Sequence, residues 1–219
     1  GRPTVIPMEN GLARGVRQAS DFLMALQLTG AAKHSSIANL QLRLPIVVIG
    51  GGLTAVDTAT ESLAYYPVQV EKFLSRYEAL VEDLGEREVR AGWSAEDKEV
   101  AADFISHARA IRAERAAAAR EGREPEIQKL VDSWGGVTIA YRRRLIDSPS
   151  YTLNHEEVAL AMQEGIRFAE CVTPERVELD SYGHAAALHA VKHTFDEAAG
   201  KVSPGGEAVR LQARAILVA

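Results

Sequence analysis

Gly50, Gly52 and Ala55 follow the apolar run 46–49 in the order Gly-x-Gly-x-x-Ala. Between a strand and a helix, that spacing suits a diphosphate. The first glycine permits a tight turn, the second puts no side chain between backbone and phosphate, and the small third residue lets the helix sit close to the strand. The helix start then offers unpaired N–H groups and the positive end of its dipole. A second group with phosphate chemistry is Arg142-Arg143-Arg144. In dinucleotide sites the residue about 20 positions past the glycines reads the adenosine ribose: a carboxylate accepts from free hydroxyls, as for NAD, whereas arginine pairs with the 2′-phosphate of NADP. No carboxylate occurs between Tyr141 and Asp147. Consecutive residues leaving a strand point to different sides, so at most two of the three arginines are expected at one ligand, Arg142 and Arg143. The candidate cofactor-binding set is Gly50, Gly51, Gly52, Leu53, Thr54, Ala55, Arg142 and Arg143, with NADP(H) as the expected cofactor. No acid, base or nucleophile is assigned. The competing reading is a structural strand–helix turn with solvated arginines.

These residues need a framework. Ile46-Val47-Val48-Ile49 shows no alternation, as expected of a central parallel strand covered on both faces. Ala55, Val56, Ala59 and Leu63 continue at helical spacing. Arg142 lies 90 residues after Gly52, too far for one crossover, but the gap becomes 22 when residues 67–134 are set aside. That segment has its own character: 26 of the 66 residues in 67–132 are charged, against 25% for the chain. Its stripes (Phe73, Leu74, Tyr77, Leu80, Val81 and Leu84; Val100, Phe104, Ile105, Ala108 and Ile111) predict two or three packed helices with charged outer faces. Gly85 and Gly122 end helices, Ser94 caps one with Asp97 in the capping-box position, and Pro125 opens a short last one. The expected organisation is an α/β domain, 1–66 and 135–219, interrupted by a helical insertion, 67–134.

Elsewhere, 15–29 reads as a helix, with Val16, Ala19, Phe22, Leu23 and Leu26 on one face. Segments 137–141, 166–169, 176–180, 186–195, 209–213 and 215–219 read as strands. Asn154 reads as a helix N-cap with Glu157 in the capping-box position, and Ser203-Pro204-Gly205-Gly206 reads as a turn. The beginning at Gly1-Arg2-Pro3-Thr4 and the apolar end 215–219 suggest a domain excised from a longer protein.

Composition removes several functions. A net charge of −5 argues against a broad nucleic-acid face. One cysteine, Cys171, excludes an internal disulfide and a cysteine-based metal site within the chain, and is expected to be a buried structural thiol. No apolar run reaches the roughly 20 residues of a membrane span, and no secretory leader is evident, so a cytoplasmic protein is expected. His184, His189 and His193 do not share one strand face and make a poor metal site. Trp134 is expected to anchor the return of the insertion to the sheet. Arg109, Arg112, Arg115 and Arg120 are expected to form a solvated, ion-paired face.

The segment Val47-Val48-Ile49-Gly50-Gly51-Gly52-Leu53-Thr54-Ala55-Val56-Asp57 resembles the NAD(P)H-binding domain of flavin-dependent pyridine nucleotide-disulfide oxidoreductases, in the glutamate synthase small-subunit branch. That branch reads Gly-Gly-Gly-Asn-Thr-Ala-Met-Asp there, so Leu53 and Val56 depart from it. Residues 137–143 resemble its Val-Thr-x-x-Tyr-Arg-Arg strand end. Residues 154–166 resemble its following helix, and 215–219 the strand leading to its last loop. The likeness covers both flanks and not 67–134. It implies a Rossmann-like three-layer fold with a three-stranded antiparallel crossover, for which 175–213 is the matching stretch. It also implies an FAD domain flanking this one in the same chain, hydride transfer from NADPH to flavin, and an electron-acceptor domain or subunit beyond. The alternative is a non-catalytic Rossmann-like scaffold whose helical insertion mediates protein–protein interaction.

Overall fold

The computed structural model describes residues 6–196 and 200–219, with 201 and 204 described by backbone only. Residues 1–5, including the chain start considered above, lie outside them. Five strands form a parallel sheet in the order β1-β8-β2-β3-β4: β1 (Val16–Gln18), β2 (Ile46–Ile49), β3 (Val137–Ala140), β4 (Arg167–Ala169) and β8 (Ala215–Val218). Strands β5 (Val172–Leu179), β6 (Ala185–Asp196) and β7 (Lys201–Gln212) form a separate antiparallel sheet and carry the chain from β4 to β8. The helices are α1 (Ala19–Leu28), α2 (Leu53–Leu84), α3 (Glu86–Arg90), α4 (Ala95–Glu121), α5 (Ile127–Ser133) and α6 (Pro149–Gln163). The fold is α/β, a five-stranded parallel sheet joined to a separate three-stranded antiparallel sheet.

The period of two along each strand builds the layers. Ile46 and Val48 of β2, Val137 and Ile139 of β3, and Leu217 of β8 join the helices in one core. Val47, Ile49, Ala140, Ile216 and Val218 face the other way, onto Val177, Leu188 and Ala190 of the antiparallel sheet. All four residues of β2 and all four of β8 are buried, which is why these central strands show no polar alternation.

Helix α2 runs 32 residues, Leu53–Leu84, through Pro67, with Gly52 and Gly85 as its caps. The expected boundary between 66 and 67 therefore falls inside one continuous helix. At 1.5 Å per residue α2 is about 48 Å long, several times the length of the strands beneath it, so its second half needs other partners. Two faces supply them. Val70, Leu74 and Tyr77 pack with Phe104, Ile105 and Ile111 of α4 in the same core as the sheet's helical face. The polar positions Tyr65, Gln69, Lys72 and Arg76 serve the irregular connection 29–44. Tyr65 Oη accepts from Leu40 N–H, and Gln69 exchanges two 2.8 Å bonds with the Leu42 backbone. Lys72 Nζ donates to the carbonyls of Ala31 and Ala38, and Arg76 donates to those of Ser36 and Ile37. A connection without its own ladder must satisfy its backbone somewhere, and here a helix side does so.

Charge fastens α4 to the remainder. Arg43, its side chain 3% exposed, reaches Glu99 at 2.9 Å and Asp103 at 3.1 Å. Arg214 spans Glu99 and Asp180, and Arg14 pairs with Glu96. Ser94 and Asp97 form the expected capping box, and Gly122 ends α4 in the left-handed conformation. Arg112 and Arg115 pair with Glu78 and Glu71 across to α2.

Two local expectations are corrected and a third is extended. Residues 16–18 are an edge strand, not the first turn of α1: Val16 pairs in parallel with Ile216, a partner 200 residues away that local periodicity does not register. Ser203–Gly206 does not reverse the chain. Between the pairs His193↔Gly206 and Phe195↔Val202, residues 203–205 of β7 oppose Thr194 alone, a bulge in which proline and glycine are tolerated. Helix α6 begins earlier than expected, at Pro149, capped by Ser148, whose hydroxyl accepts from Tyr151 N–H; it is two helical pieces joined at a kink, and Asn154, non-helical at φ −156° and ψ 61°, stands before the second piece, where the sequence placed an N-cap. The Ser-Pro pair was the available signal, because a serine cap followed by proline in the first turn starts many helices.

On the outer face of the antiparallel sheet, Glu178 receives two bonds from Arg210 and one from His189, which hold its carboxyl down at about 2. A carboxyl depressed on folding contributes stability above the usual carboxylate range and loses it as pH falls through its folded value. Glu178→Gln should therefore lower the melting temperature at pH 7, with the gap to wild type closing between about pH 4.5 and 2. A gap independent of pH would mean the pairing contributes nothing.

Candidate nucleotide site

The sheet has its switch point at β2. From β2 the chain passes through α2 to β3 on one side, while β8 lies on the other after the antiparallel crossover. Ligands of open α/β sheets bind outside the carboxyl ends of the strands at such a point. Gly50 stands there. A Cβ at Gly50 would lie 3.0 Å from the Ala219 Cβ and 3.1 Å from the Ala55 Cβ, so strand, neighbouring strand and helix meet without side chains between them.

The glycines divide the work. A Cβ at Gly51 would run into the Tyr141 ring, and the inner side of the turn keeps only about 10 Å³, between Tyr141, Leu145, Ser148, Ser150 and Phe168. A Cβ at Gly52 would meet nothing within 4 Å. The open side of the turn is thus at Gly52, with Leu53 half-buried and Thr54 exposed at the start of α2. Among the described residues, no acceptor is recorded for the N–H groups of Gly51, Gly52, Leu53 or Thr54, the donors that a helix start leaves over. Ala55 is fully buried, so its part is to let the helix approach the strand rather than to touch a ligand.

A paired substitution separates these roles. Gly51→Ala should destabilise the chain by about 1–3 kcal/mol, the cost of overpacking, because the tyrosine ring must move. Gly52→Ala should cost under about 1 kcal/mol, since it only replaces glycine at a cap, yet weaken binding of any diphosphate seated there. Thermal unfolding and nucleotide titration read the two effects. Equal melting temperatures for both variants would contradict the packing at Gly51.

The arginines leave β3 directly after Tyr141. Arg142, Arg143 and Arg144 all border one open groove of about 720 Å³, with Asp147, Thr173, His193, Phe195, Gly200 and Val202 around it. The three differ in what holds them. Arg144 is engaged: it pairs with Asp147 at 2.7 Å and its guanidinium lies 3.6 Å over the Phe195 ring. Asp147 is held below the usual carboxylate range by that bond. Arg142 and Arg143 are exposed, and no ion pair is recorded for either among the described residues. Phe195, an aromatic platform, and His193 were not foreseen; alternation within a strand placed them, but their approach to the arginines required the sheet packing.

The loop is pinned from below. Tyr141 N–H donates to Ala169, Val172 N–H to Tyr141, Cys171 N–H to Arg143, and Leu145 N–H to the Glu170 carboxylate. Cys171 is buried and sits at a positive φ of 56°. Burial raises its thiol pKa, which suits a structural role. Asp57, on α2, has its carboxyl pKa raised by burial and by Glu157 of α6. His184 lies against Gly15, His189 binds Glu178 and His193 Nδ1 donates to the Gly205 carbonyl. Among the described residues no group of three or more His, Cys, Asp or Glu could hold a metal, and no helix is long and apolar enough to cross a membrane. Trp134 stacks on His107 at 3.8 Å, and His107 bonds the buried Tyr66 hydroxyl at 2.6 Å.

No family model matches the chain. It is 44% identical over 188 residues to Uncharacterized protein RP006 of Rickettsia prowazekii, covering 86% of this chain and 24% of that protein. The chain therefore spans about a quarter of this curated relative. Similar solved structures include an FAD-dependent pyridine nucleotide-disulphide oxidoreductase from Desulfovibrio vulgaris (13% identity, TM-score 0.46, 99% of this chain and 32% of that one). Mycobacterium tuberculosis FprA in complex with NADPH is another (10% identity, TM-score 0.46, 99% and 47%). A NAD-dependent persulfide reductase from A. fulgidus is a third (13% identity, TM-score 0.37, 100% and 24%).

Proposed function

We propose that this chain is the NADPH-binding domain of an FAD-dependent oxidoreductase of the glutamate synthase small-subunit type. The observation that carries the reading is a juxtaposition: the glycine turn at the switch point is hydrogen-bonded, through the Gly51 carbonyl, to Ser150 in the first turn of α6, the helix into which the loop bearing Arg142 and Arg143 leads. The residues fit the nucleotide. Gly52 leaves open space at a helix start with unpaired N–H groups, and two exposed arginines border a groove that Phe195 also lines. In the proposal the turn seats the diphosphate, while Arg142 and Arg143 fork onto the 2′-phosphate. The bound nucleotide supplies a hydride, and the chain's own contribution is to hold and orient it.

In this reading residues 67–134 are an insertion into a domain formed by 1–66 and 135–219. FAD belongs to a flanking domain of the same protein, and an electron-acceptor domain or subunit lies beyond. A reducing compartment such as the cytoplasm suits both the cofactor and the unpaired Cys171. Titration with NADPH and NADH tests the core of the proposal. NADPH should bind the more tightly; absence of binding by either nucleotide would favour the scaffold alternative.

A further inference from the structure

The glycine turn is held from behind by a chain of hydroxyls. Ser150 donates to the Gly51 carbonyl twice, from its N–H at 3.2 Å and from its hydroxyl at 3.0 Å. The Ser148 and Ser150 hydroxyls lie 3.0 Å apart, and Ser148 Oγ accepts from Tyr151 N–H. With Ser150 donating to Gly51, Ser148 must donate to Ser150, and the order Tyr151 N–H, Ser148, Ser150, Gly51 carbonyl is the consistent one. Both serines are 1% exposed.

The consequence follows from peptide planarity. In a trans peptide, C=O and N–H point in opposite directions. Fixing the Gly51 carbonyl toward Ser150 aims the next amide, Gly52 N–H, away from Ser150. That amide has no recorded acceptor among the described residues, and it belongs to the residue whose Cβ would meet nothing within 4 Å. Fixing the donor before the ligand arrives removes the cost of ordering it on binding.

The geometry points to Ser150 as a positioning residue that presets the Gly52 amide for the nucleotide diphosphate and, standing eight residues past Arg142 in the first turn of α6, the helix that follows the arginine-bearing loop, couples the two phosphate-reading parts of the site. This rests on the nucleotide reading above. It differs from the arginine role in its signature. The arginines discriminate between NADPH and NADH, whereas Ser150 acts on the diphosphate that both carry.

The test uses the full chain. In ligand-free wild type, the Gly52 amide should exchange freely with solvent and become protected on adding NADPH. In Ser150→Ala, amide relaxation at Gly51 and Gly52 should show a looser turn without ligand, and NADPH and NADH affinity should fall by the same factor, about five- to tenfold, as for loss of one buried neutral hydrogen bond. Ser150→Thr, which keeps the hydroxyl, should restore both, with thermal unfolding confirming that each variant is folded. A Gly52 amide already protected without ligand, or an unchanged turn in Ser150→Ala, overturns the positioning role while leaving the nucleotide reading intact. Unchanged affinity despite a loosened turn, or a loss confined to NADPH, overturns it as well. A wild-type chain that binds neither nucleotide removes the nucleotide reading, and this role falls with it.

Discussion

Replacing Arg142 and Arg143 together by alanine should weaken NADPH binding by about 100-fold or more and change NADH binding by less than about threefold. The expectation comes from what the two side chains do in the free protein. Both are exposed at the edge of the groove, and neither has a recorded ion pair among the described residues, so removing them strands no internal partner. Hydrogen bonds to a charged group are worth about 1.5–3 kcal/mol each, or about 10–100-fold in affinity per arginine. NADH lacks the 2′-phosphate and has no use for them. Raising the salt concentration should weaken NADPH binding in wild type and much less in the double variant. Isothermal titration of both nucleotides at two ionic strengths gives the answer. Parallel losses for NADPH and NADH would show that the arginines do not read the 2′-phosphate. Arg144→Ala makes an informative companion, because it leaves Asp147 without that pair and bares the Phe195 ring, so its effect should include a loss of loop order as well as of charge.

Phe104→Ala is expected to destabilise the whole chain by about 3–5 kcal/mol, the usual cost of truncating a buried phenylalanine. Phe104 is 1% exposed and meets the rings of Tyr66 and Phe73 edge-on. The informative part is where the loss appears. Its cluster is continuous with Ile46 and Val48 of β2 and Leu217 of β8, so helices and sheet should unfold together. Native-state hydrogen exchange should show protection falling by similar amounts in α4 and in the β2 and β8 amides. Loss confined to α4 would mean that the helical segment melts by itself. The same continuity bears on removing 67–134. Such a deletion would take Gln69, Lys72 and Arg76 from the backbone they satisfy in 29–44 and would unpair Arg43 from Glu99 and Asp103. A smaller and cleaner probe of any partner role is charge reversal on exposed residues such as Arg87 or Glu124.

The sequence by itself determined the framework of the site. Ile46–Ile49 reads as a strand buried on both faces because it has no polar position. The glycine spacing marks the turn because only absent side chains allow strand, turn and helix to meet so closely. The charged segment announces itself by composition and by its caps at Ser94, Gly85 and Gly122. Such signals are local: they depend on side-chain volume, periodicity and hydrogen bonding within a few residues. Tertiary structure alone decided the rest. Val16–Gln18 is a strand because β8 lies beside it, and Ser203–Gly206 is a bulge because β6 continues opposite. Tyr141 covers Gly51, Ser150 holds its carbonyl and Phe195 underlies Arg144 because of contacts between residues 90, 99 and 51 positions apart. Which face of a glycine turn stays open, and which arginines stay unpaired, are outcomes of packing among distant segments, and no window of sequence contains both partners.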